Sequence, residues 1–434
     1  MSEATNCPDQ KKNEEMKHTC LLILVLILSF DCQAQSKDSI YAYRKGSIYS
    51  LMIGHRNANY AEEIENTFKE MPIPDRYNSH DLGKKIFYTS EKKIKVDDSE
   101  KRIGFIVNEA SSQSKMTDYD AFLLKQNVAS RMVAKWFDRK RTTGTCNMDL
   151  IGERGYKNAS ELEKRIAEHS MRKDALLRDA GEELIGSTFV LVNDIRSIDK
   201  SKGTSVAGGI LSGIQMVANA ASGTKYDGKN NLGTMVASYK GFNVRIKTYL
   251  YQLVWDDDIA GFFYSNVYTE TPDEQKKTNF ENNRGKFSLK YLGAQESSGT
   301  TVSFLGIKED EPEKMVRKAC QRALDENIAN LQKKFDVFKV KAPILDVNPI
   351  TCEIGLKEGV SEDSRYEVLE VIEDAKGHLD YRRIGVIKPV KGKIWDNRFM
   401  AVEENAENSA LGFTTFMKIS GGDFYPGLLI REMK

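Results

Sequence analysis

The order of strand-like and helix-like patterns between Arg102 and Val340 constrains the fold of this chain most strongly. Apolar residues recur every third or fourth position in an amphipathic helix and every second position in a half-buried strand. By this criterion strand, helix, strand, helix and strand are predicted in turn: IGFIV, the stretch from Tyr119 to Arg139, CNMDLIGERG, ASELEKRIAEHSMRKDALLRDAGEEL and GSTFVLVNDI. This order is typical of a sheet with helices packed on it.

Two hairpins and a long helix are predicted in the second half of this region. In GFNVRIKTYLYQLVW apolar and polar residues alternate, DDDIAG is typical of a turn, and FFYSNVYTE supplies a returning strand. GKFSLKYLGA and TTVSFLG form a second predicted hairpin around SSG. The stretch EPEKMVRKACQRALDENIANLQKKF is typical of a helix that begins at Pro312.

The rest of the sequence lies on either side of this region. Residues 36–100 contain a helix pattern, NYAEEIENTFKEM, and are predicted to form an N-terminal domain to which no role is assigned. Short strands and glycine-centred turns from residue 341 to residue 434 predict a small antiparallel barrel. The predicted fold class is therefore α+β or α/β: a helix-backed mixed sheet over residues 101–340 with inserted apolar segments, plus a small C-terminal all-β barrel domain.

The N-terminal region, residues 1–35, is typical of a signal peptide. From Met16 a short basic stretch precedes the apolar run LLILVLILSF, and the small residues Cys32 and Ala34 follow where a signal peptidase cleaves. A membrane-spanning helix needs about 20 apolar residues, which is more than this run provides. We therefore expect Met16 to be the true start and the protein to be exported to the periplasm or the periplasmic face of the outer membrane. A buried core helix and a lipid on Cys32 are the alternative interpretations.

Charge and cysteine content exclude several classes of partner and site. Lys and Arg total 64 and Asp and Glu total 63, so the chain lacks the one-signed charge that attracts nucleic acid, and no nucleic-acid partner is expected. After cleavage of the signal, Cys146, Cys320 and Cys352 remain. Their odd number and wide spacing match neither a disulfide framework nor a zinc site, so we expect buried cysteines and no cofactor or metal.

No motif in the sequence is typical of catalysis. The glycine-rich stretch GTSVAGGILSGIQMVANAASG, residues 203–223, has Ile214 and Gln215 where a phosphate-binding loop needs Lys and Ser or Thr. The acids of the 256–258 run are interpreted as a solvated turn. The histidines are far apart, with His169 expected on the buried side of its helix and the others at the surface. We therefore expect that the protein is not an enzyme.

The order of elements from Arg102 to Val340 resembles the curli-secretion channel (CsgG-like) family, outer-membrane proteins with a periplasmic α/β domain. The pieces that carry the resemblance are IGFIV, QNVASRMVAKWF, GEELIGSTFVLVNDI, the predicted hairpin VRIKTYLYQLVWDDDIAGFFYS, and MDLIGERG in the place of the family's strand ending in Val-Glu-Arg. The C-terminal pieces IGLKEGV, IGVI and GGDFYPG resemble, more weakly, the β-domain of FlgT-type flagellar assembly proteins. Both resemblances imply a role in assembly at the cell envelope.

The curli-channel resemblance implies two insertions, at residues 203–241 and 285–306, that in the family supply membrane strands of an oligomeric barrel. In the first, apolar residues recur at helical spacing, and such a helix would pack on its own sheet, on a neighbouring subunit or in a membrane surface. In the second, apolar residues alternate as in a membrane strand. The residues expected to contact another subunit or the outer membrane are Ile210, Leu211, Ile214, Val217, Phe287, Leu289 and Tyr291.

The expected function is that of a non-enzymatic, oligomeric cell-envelope component of an outer-membrane secretion or assembly apparatus, with other envelope proteins as partners. The alternative is a monomeric periplasmic binding or adaptor protein without a pore. An enzyme of unknown type is the third hypothesis.

Overall fold

The computed structural model describes residues 46–88, 106–107, 118–169, 174–197, 240–303, 312–375, 379–403 and 406–433. They form a mixed sheet covered by helices and a closed antiparallel barrel. The helices are α1 (Ala61–Glu70), α2 (Asp118–Lys125), α3 (Val128–Trp136), α4 (Asp149–Asn158), α5 (Glu161–His169), α6 (Asp174–Gly186), α7 (Asp257–Asn266), α8 (Glu274–Asn282), α9 (Pro312–Lys334) and α10 (Ala406–Ser409).

In the described part of the chain, the sheet contains seven strands of mixed direction. They are β1 (Ser47–Gly54), β2 (Asn78–Ser79), β3 (Ile86–Tyr88), β4 (Ile106–Val107), β5 (Thr188–Ser197), β6 (Lys240–Leu253) and β7 (Leu289–Ser303), in the order β2-β1-β5-β6-β7-β4, with β3 also pairing with β1. Strand β1 is parallel to β2, β3 and β5. Strand β6 is antiparallel to both β5 and β7, and β4 is parallel to β7.

Helices cover both faces of the sheet. One core joins the sheet to residues of α3, α6 and α7, including Trp136, Ile185 and Phe263, and to Phe287. The core on the opposite face joins the sheet to α1 and α9. Strand β1 pairs with β5 from Ser47 to Ile53, so residues 46–88 belong to the same sheet as the later strands. This corrects the expected separate domain over residues 36–100.

The C-terminal strands close into a six-stranded antiparallel barrel, as the sequence predicts. They are β8 (Ala342–Val347), β9 (Ile350–Cys352), β10 (Tyr366–Glu373), β11 (Leu379–Pro389), β12 (Thr414–Gly421) and β13 (Leu429–Glu432), in the closed order β10-β11-β12-β9-β8-β13. The interior is filled by side chains such as Val368, Ile387 and Phe416. The barrel is therefore a packed core.

Three element predictions are wrong. The expected strand CNMDLIGERG contains helix α4, since Ile151, Gly155 and Asn158 recur at helical spacing and are buried. The expected returning strand FFYSNVYTE lies mostly in helix α7, because the Asp256 carboxylate caps it by accepting a hydrogen bond from the Ile259 backbone N–H at 2.9 Å.

The third wrong prediction is the hairpin around SSG. Strand β7 runs through it without a turn and pairs with β6 along its whole length. The small residues are required by packing: a Cβ at Gly299 would collide with the Ala319 carbonyl of α9. Residues 289–303 are therefore a strand of the main sheet.

Candidate functional site

The ends of five strands form one edge of the sheet, which we call the distal edge. Strands β1, β3 and β5 are parallel, so their carboxyl ends, Gly54, Tyr88 and Ser197, point the same way. Strand β6 begins and β7 ends there, and the two pair with each other beyond the end of β5, from Lys240 opposite Ser303. In open α/β sheets, ligands bind outside the carboxyl ends of the strands. The distal edge is therefore the first place to look for a functional site.

A histidine, an aspartate and an arginine are joined at this edge. His55 directly follows β1, and its Nε2 lies 2.6 Å from Oδ1 of Asp194 in β5. Arg196 holds the same carboxylate with two hydrogen bonds, from Nε to Oδ1 and from Nη2 to Oδ2, both 2.9 Å. Such a two-point contact fixes the orientation of the carboxylate and, through it, that of the imidazole.

The Asp194 carboxylate remains ionised over the whole physiological pH range. Burial opposes its ionisation, but the hydrogen bonds from His55 and Arg196 outweigh burial and lower the pKa of Asp194 to about 2. The nearby hydroxyl of Ser197 donates to the Asn59 carbonyl, at 2.7 Å, instead of to His55. A histidine oriented by a carboxylate needs a hydroxyl or thiol in reach to act in nucleophilic catalysis. Among the described residues, these contacts hold an oriented imidazole and an ionised carboxylate at the ends of β1 and β5.

Aromatic and cationic side chains surround this group. Arg56 lies over the ring of Tyr88, 4.3 Å from its centroid, and the Tyr88 hydroxyl donates to Oε2 of Glu65 at 2.8 Å. Tyr60 and Tyr88 expose 49% and 43% of their surface. On the neighbouring strands Arg245 pairs with Glu296 at 3.0 Å while its side chain remains 62% exposed. Because exposed Tyr and Arg are enriched in protein interfaces, this composition is typical of a surface that binds protein.

The residues of the distal edge are absent from the sequence predictions. A signal for them exists, since His55 comes directly after the apolar run IYSLMIG, and Asp194 and Arg196 follow FVLVN. Polar residues at the ends of apolar strands were available as candidates. What the sequence did not show is that β1 and β5 are neighbours, which brings His55 and Asp194 together.

The predicted contact residues fall into three groups. Ile210, Leu211, Ile214 and Val217 lie outside the described residues. Phe287 and Leu289 are only 1% and 3% exposed in a core formed by the chain itself, so the prediction that they contact a partner or a membrane is wrong. Tyr291 is half-buried and its ring lies 5.2 Å from that of Tyr251.

The histidine predictions are also corrected. His80 is buried, with Nε2 3.0 Å from the Met132 carbonyl, and its ring stacks on Trp136. His169 is exposed instead of packed on its helix. His378 lies outside the described residues.

The cysteine prediction is confirmed, because Cys146, Cys320 and Cys352 are buried and unbridged. Within the described ranges no three His, Cys, Asp or Glu side chains are grouped as metal ligands. In that same part of the chain, none of the helices is both long enough and apolar enough to cross a membrane.

Comparisons with known proteins add no relative. No family model matches the sequence. No curated protein matches it significantly either.

Proposed function

We propose that this chain is an exported, non-enzymatic component of an outer-membrane secretion or assembly apparatus. It forms homo-oligomers and binds other envelope proteins through the distal edge. The export signal predicted at Met16 and the resemblance of the element order to the curli-secretion channels motivate this assignment.

The supporting observation is where the apolar segment 203–223 joins the fold. The chain leaves β5 at Ser197 and re-enters β6 at Lys240, and both positions lie at the distal edge. The same edge carries the exposed side chains of Tyr88 and Arg245. Exposed Tyr and Arg side chains are enriched at protein interfaces, and the sequence that joins these two strand ends is apolar.

A monomeric periplasmic adaptor without a pore is the second candidate function. It is favoured by the burial of Phe287 and Leu289, because this removes one of the two segments expected to reach a partner or a membrane. Under this alternative the distal edge binds a different protein, and no second copy of the chain is required.

The two candidates differ in particle size. We expect the mature protein to sediment as a discrete oligomer in mild detergent, and deletion of residues 206–221 to reduce it to the monomer while far-ultraviolet circular dichroism is unchanged. Among described residues, the double substitution Tyr88→Ser and Arg245→Ser should weaken the oligomer. Tyr156→Ser, which changes an exposed tyrosine on α4, is the matched control.

Two results would overturn parts of this proposal. A monomer in both detergent and plain buffer would leave only the adaptor function. Loss of secondary structure after the deletion would show that residues 206–221 belong to the core.

A further inference from the structure

The barrel is held against helix α9 and the loop after α1 by polar contacts. Arg322 of α9 donates from Nε and Nη2 to the Phe399 carbonyl, at 3.0 and 2.9 Å. The Lys357 ammonium reaches from the barrel side to Oδ2 of Asp75 in the loop after α1, at 2.9 Å. Lys333 of α9 donates to the Gly359 carbonyl at 3.0 Å. We call this contact region the junction.

The carboxylate of Asp325 lies in the junction without a hydrogen-bond donor for its Oδ2. That oxygen is buried and has no hydrogen-bond partner among the described residues. The nearby cations are already engaged, Lys357 with Asp75 and Arg322 with a backbone carbonyl. A buried carboxylate oxygen without a donor makes ionisation of the carboxyl costly.

Charged groups act on Asp325 from its own helix, from the loop after α1 and from the turn 356–358, while Asp396 in the Phe399 segment is held by Arg398. Arg322 lies on the same helix, Asp75 on the loop after α1, and Lys357 and Glu358 on the turn 356–358 of the barrel side. Oε2 of Glu358 accepts from the Gly355 backbone and from Asn397, both at 2.7 Å. When Asp325 is ionised, the three carboxylates (Asp325, Asp75 and Glu358) outnumber the two cations (Arg322 and Lys357). When Asp325 is protonated, the two remaining negative charges equal the two positive charges.

We propose that the docking of the barrel on α9 responds to pH through Asp325, closing when this carboxyl is protonated and loosening when it ionises. The proposal is independent of the distal edge and goes beyond the proposed assembly function. It assigns Asp325 as the titrating group because its Oδ2 is a buried carboxylate oxygen of the junction with no donor among the described residues.

The direction of the response follows from linkage. Burial raises the pKa of Asp325 to about 7, and Lys357 opposes this only in part. In the opened junction the carboxyl returns to a pKa of about 3.9. A group whose pKa is raised in the closed state stabilises closure below the pKa of the open state, and this contribution is lost as pH rises through the pKa of the closed state. The junction therefore opens more readily at pH 8 than at pH 6.

Hydrogen exchange of the full chain, followed by mass spectrometry, tests this directly. The amide exchange rates measured for peptides from α9 and from the turn 356–358 are divided by the intrinsic amide exchange rate at each pH. Between pH 6 and pH 8 we expect this ratio to rise about tenfold, the change that linkage gives for such a pKa difference. A peptide from α3 should show no change.

Substitutions identify the titrating group. Asp325→Asn should remove the pH dependence of the junction peptides and keep them protected at pH 8, whereas Asp363→Asn, at an exposed acid of the barrel, should leave the wild-type profile. Lys357→Gln provides a second test that keeps the carboxyl: loss of the nearby cation should move the transition to higher pH. A flat wild-type profile, or an unchanged profile in Asp325→Asn or Lys357→Gln, would overturn the proposal.

Discussion

A line of hydrogen-bonded polar side chains crosses the interior of the protein. Asn193 donates to the Leu51 carbonyl at 2.9 Å, Thr248 donates to Asn193 Oδ1 at 2.8 Å, and Asn327 donates to Thr248 Oγ1 at 3.0 Å. All three polar residues are fully buried. The line therefore ties β1, β5 and β6 to helix α9.

Asn327→Ala should destabilise the protein by about 1–3 kcal/mol, because buried acceptors on β6 lose their donor. The free energy of unfolding, measured by urea denaturation, checks this. Glu326→Ala, at the adjacent and exposed position of the same helix, should change it by less than about 0.5 kcal/mol. Equal effects of the two substitutions would contradict the role assigned to Asn327.

The buried histidine supplies a pH-dependent part of the stability. Burial lowers the pKa of His80 to about 3, with the positive charges of Lys135 and Arg154 adding to the shift. In the unfolded chain a histidine takes up its proton near pH 6.5, a pKa of about 6.5 being usual. Below that pH the unfolded state gains a proton that the folded state does not bind, so His80 favours unfolding until pH falls to about 3.

The pH profile of His80→Gln should therefore differ from wild type below neutrality. From pH 6.5 towards pH 3 the variant should lose less stability, by up to about 1.4 kcal/mol per pH unit. Denaturant unfolding at a series of pH values provides the measurement. Tyr156→Ser, at an exposed residue that does not titrate in this range, should retain the wild-type slope. If both variants retain it, His80 is protonated in the folded state.

Single residues were predictable only where burial follows from residue type. Buried cysteines were predicted correctly, but His80 was expected at the surface and is buried against Trp136. The line from Asn193 to Asn327 gave no local signal, because polar residues in strands and helices are usually exposed. Its members become visible only when the neighbouring strands are known.

At the scale of elements, helix α4 depends on a close approach to α6. A Cβ at Gly181 of α6 would collide with the Ile151 backbone carbonyl of α4. Gly152, on α4 itself, has open space around its Cβ position. Position 181 therefore has no room for a larger residue, whereas position 152 does.

Gly181→Ala should destabilise the protein by about 1–3 kcal/mol through overpacking. Gly152→Ala should stabilise it by up to about 1 kcal/mol, since alanine favours the helix interior. Urea denaturation followed by circular dichroism compares the two. A neutral Gly181→Ala, or a destabilising Gly152→Ala, would contradict the helical assignment of residues 149–158.

Elements were predictable where their own periodicity determines them. Strands β5 and β6 and helices α1 and α9 were predicted in place. The errors at α4, α7 and β7 arose where short segments with glycine or acidic runs resemble turns. In α7 the acidic run forms the N-cap and the first helical turn. In β7 the small residues allow α9 to pack closely against the strand. Both reasons depend on contacts that a local pattern does not contain.

In the whole molecule, the barrel was predictable because its six strands follow one another along the chain from Ala342 to Glu432, with no described strand of the main sheet between them. The place of β1 was not, since its parallel partner β5 lies far along the chain. That pairing joins residues 46–88 to the main sheet and creates the site of His55 and Asp194. The distal edge is thus a product of tertiary structure, even though each of its residues ends a predictable strand.

Under the proposed function, the distal edge brings copies of this chain together at the cell envelope. Negative-stain electron microscopy of the particle purified from the envelope fraction tests it most directly. We predict discrete rings of uniform size with the deletion of residues 206–221 yielding single protomers. Isolated single protomers from the undeleted chain would contradict the claim.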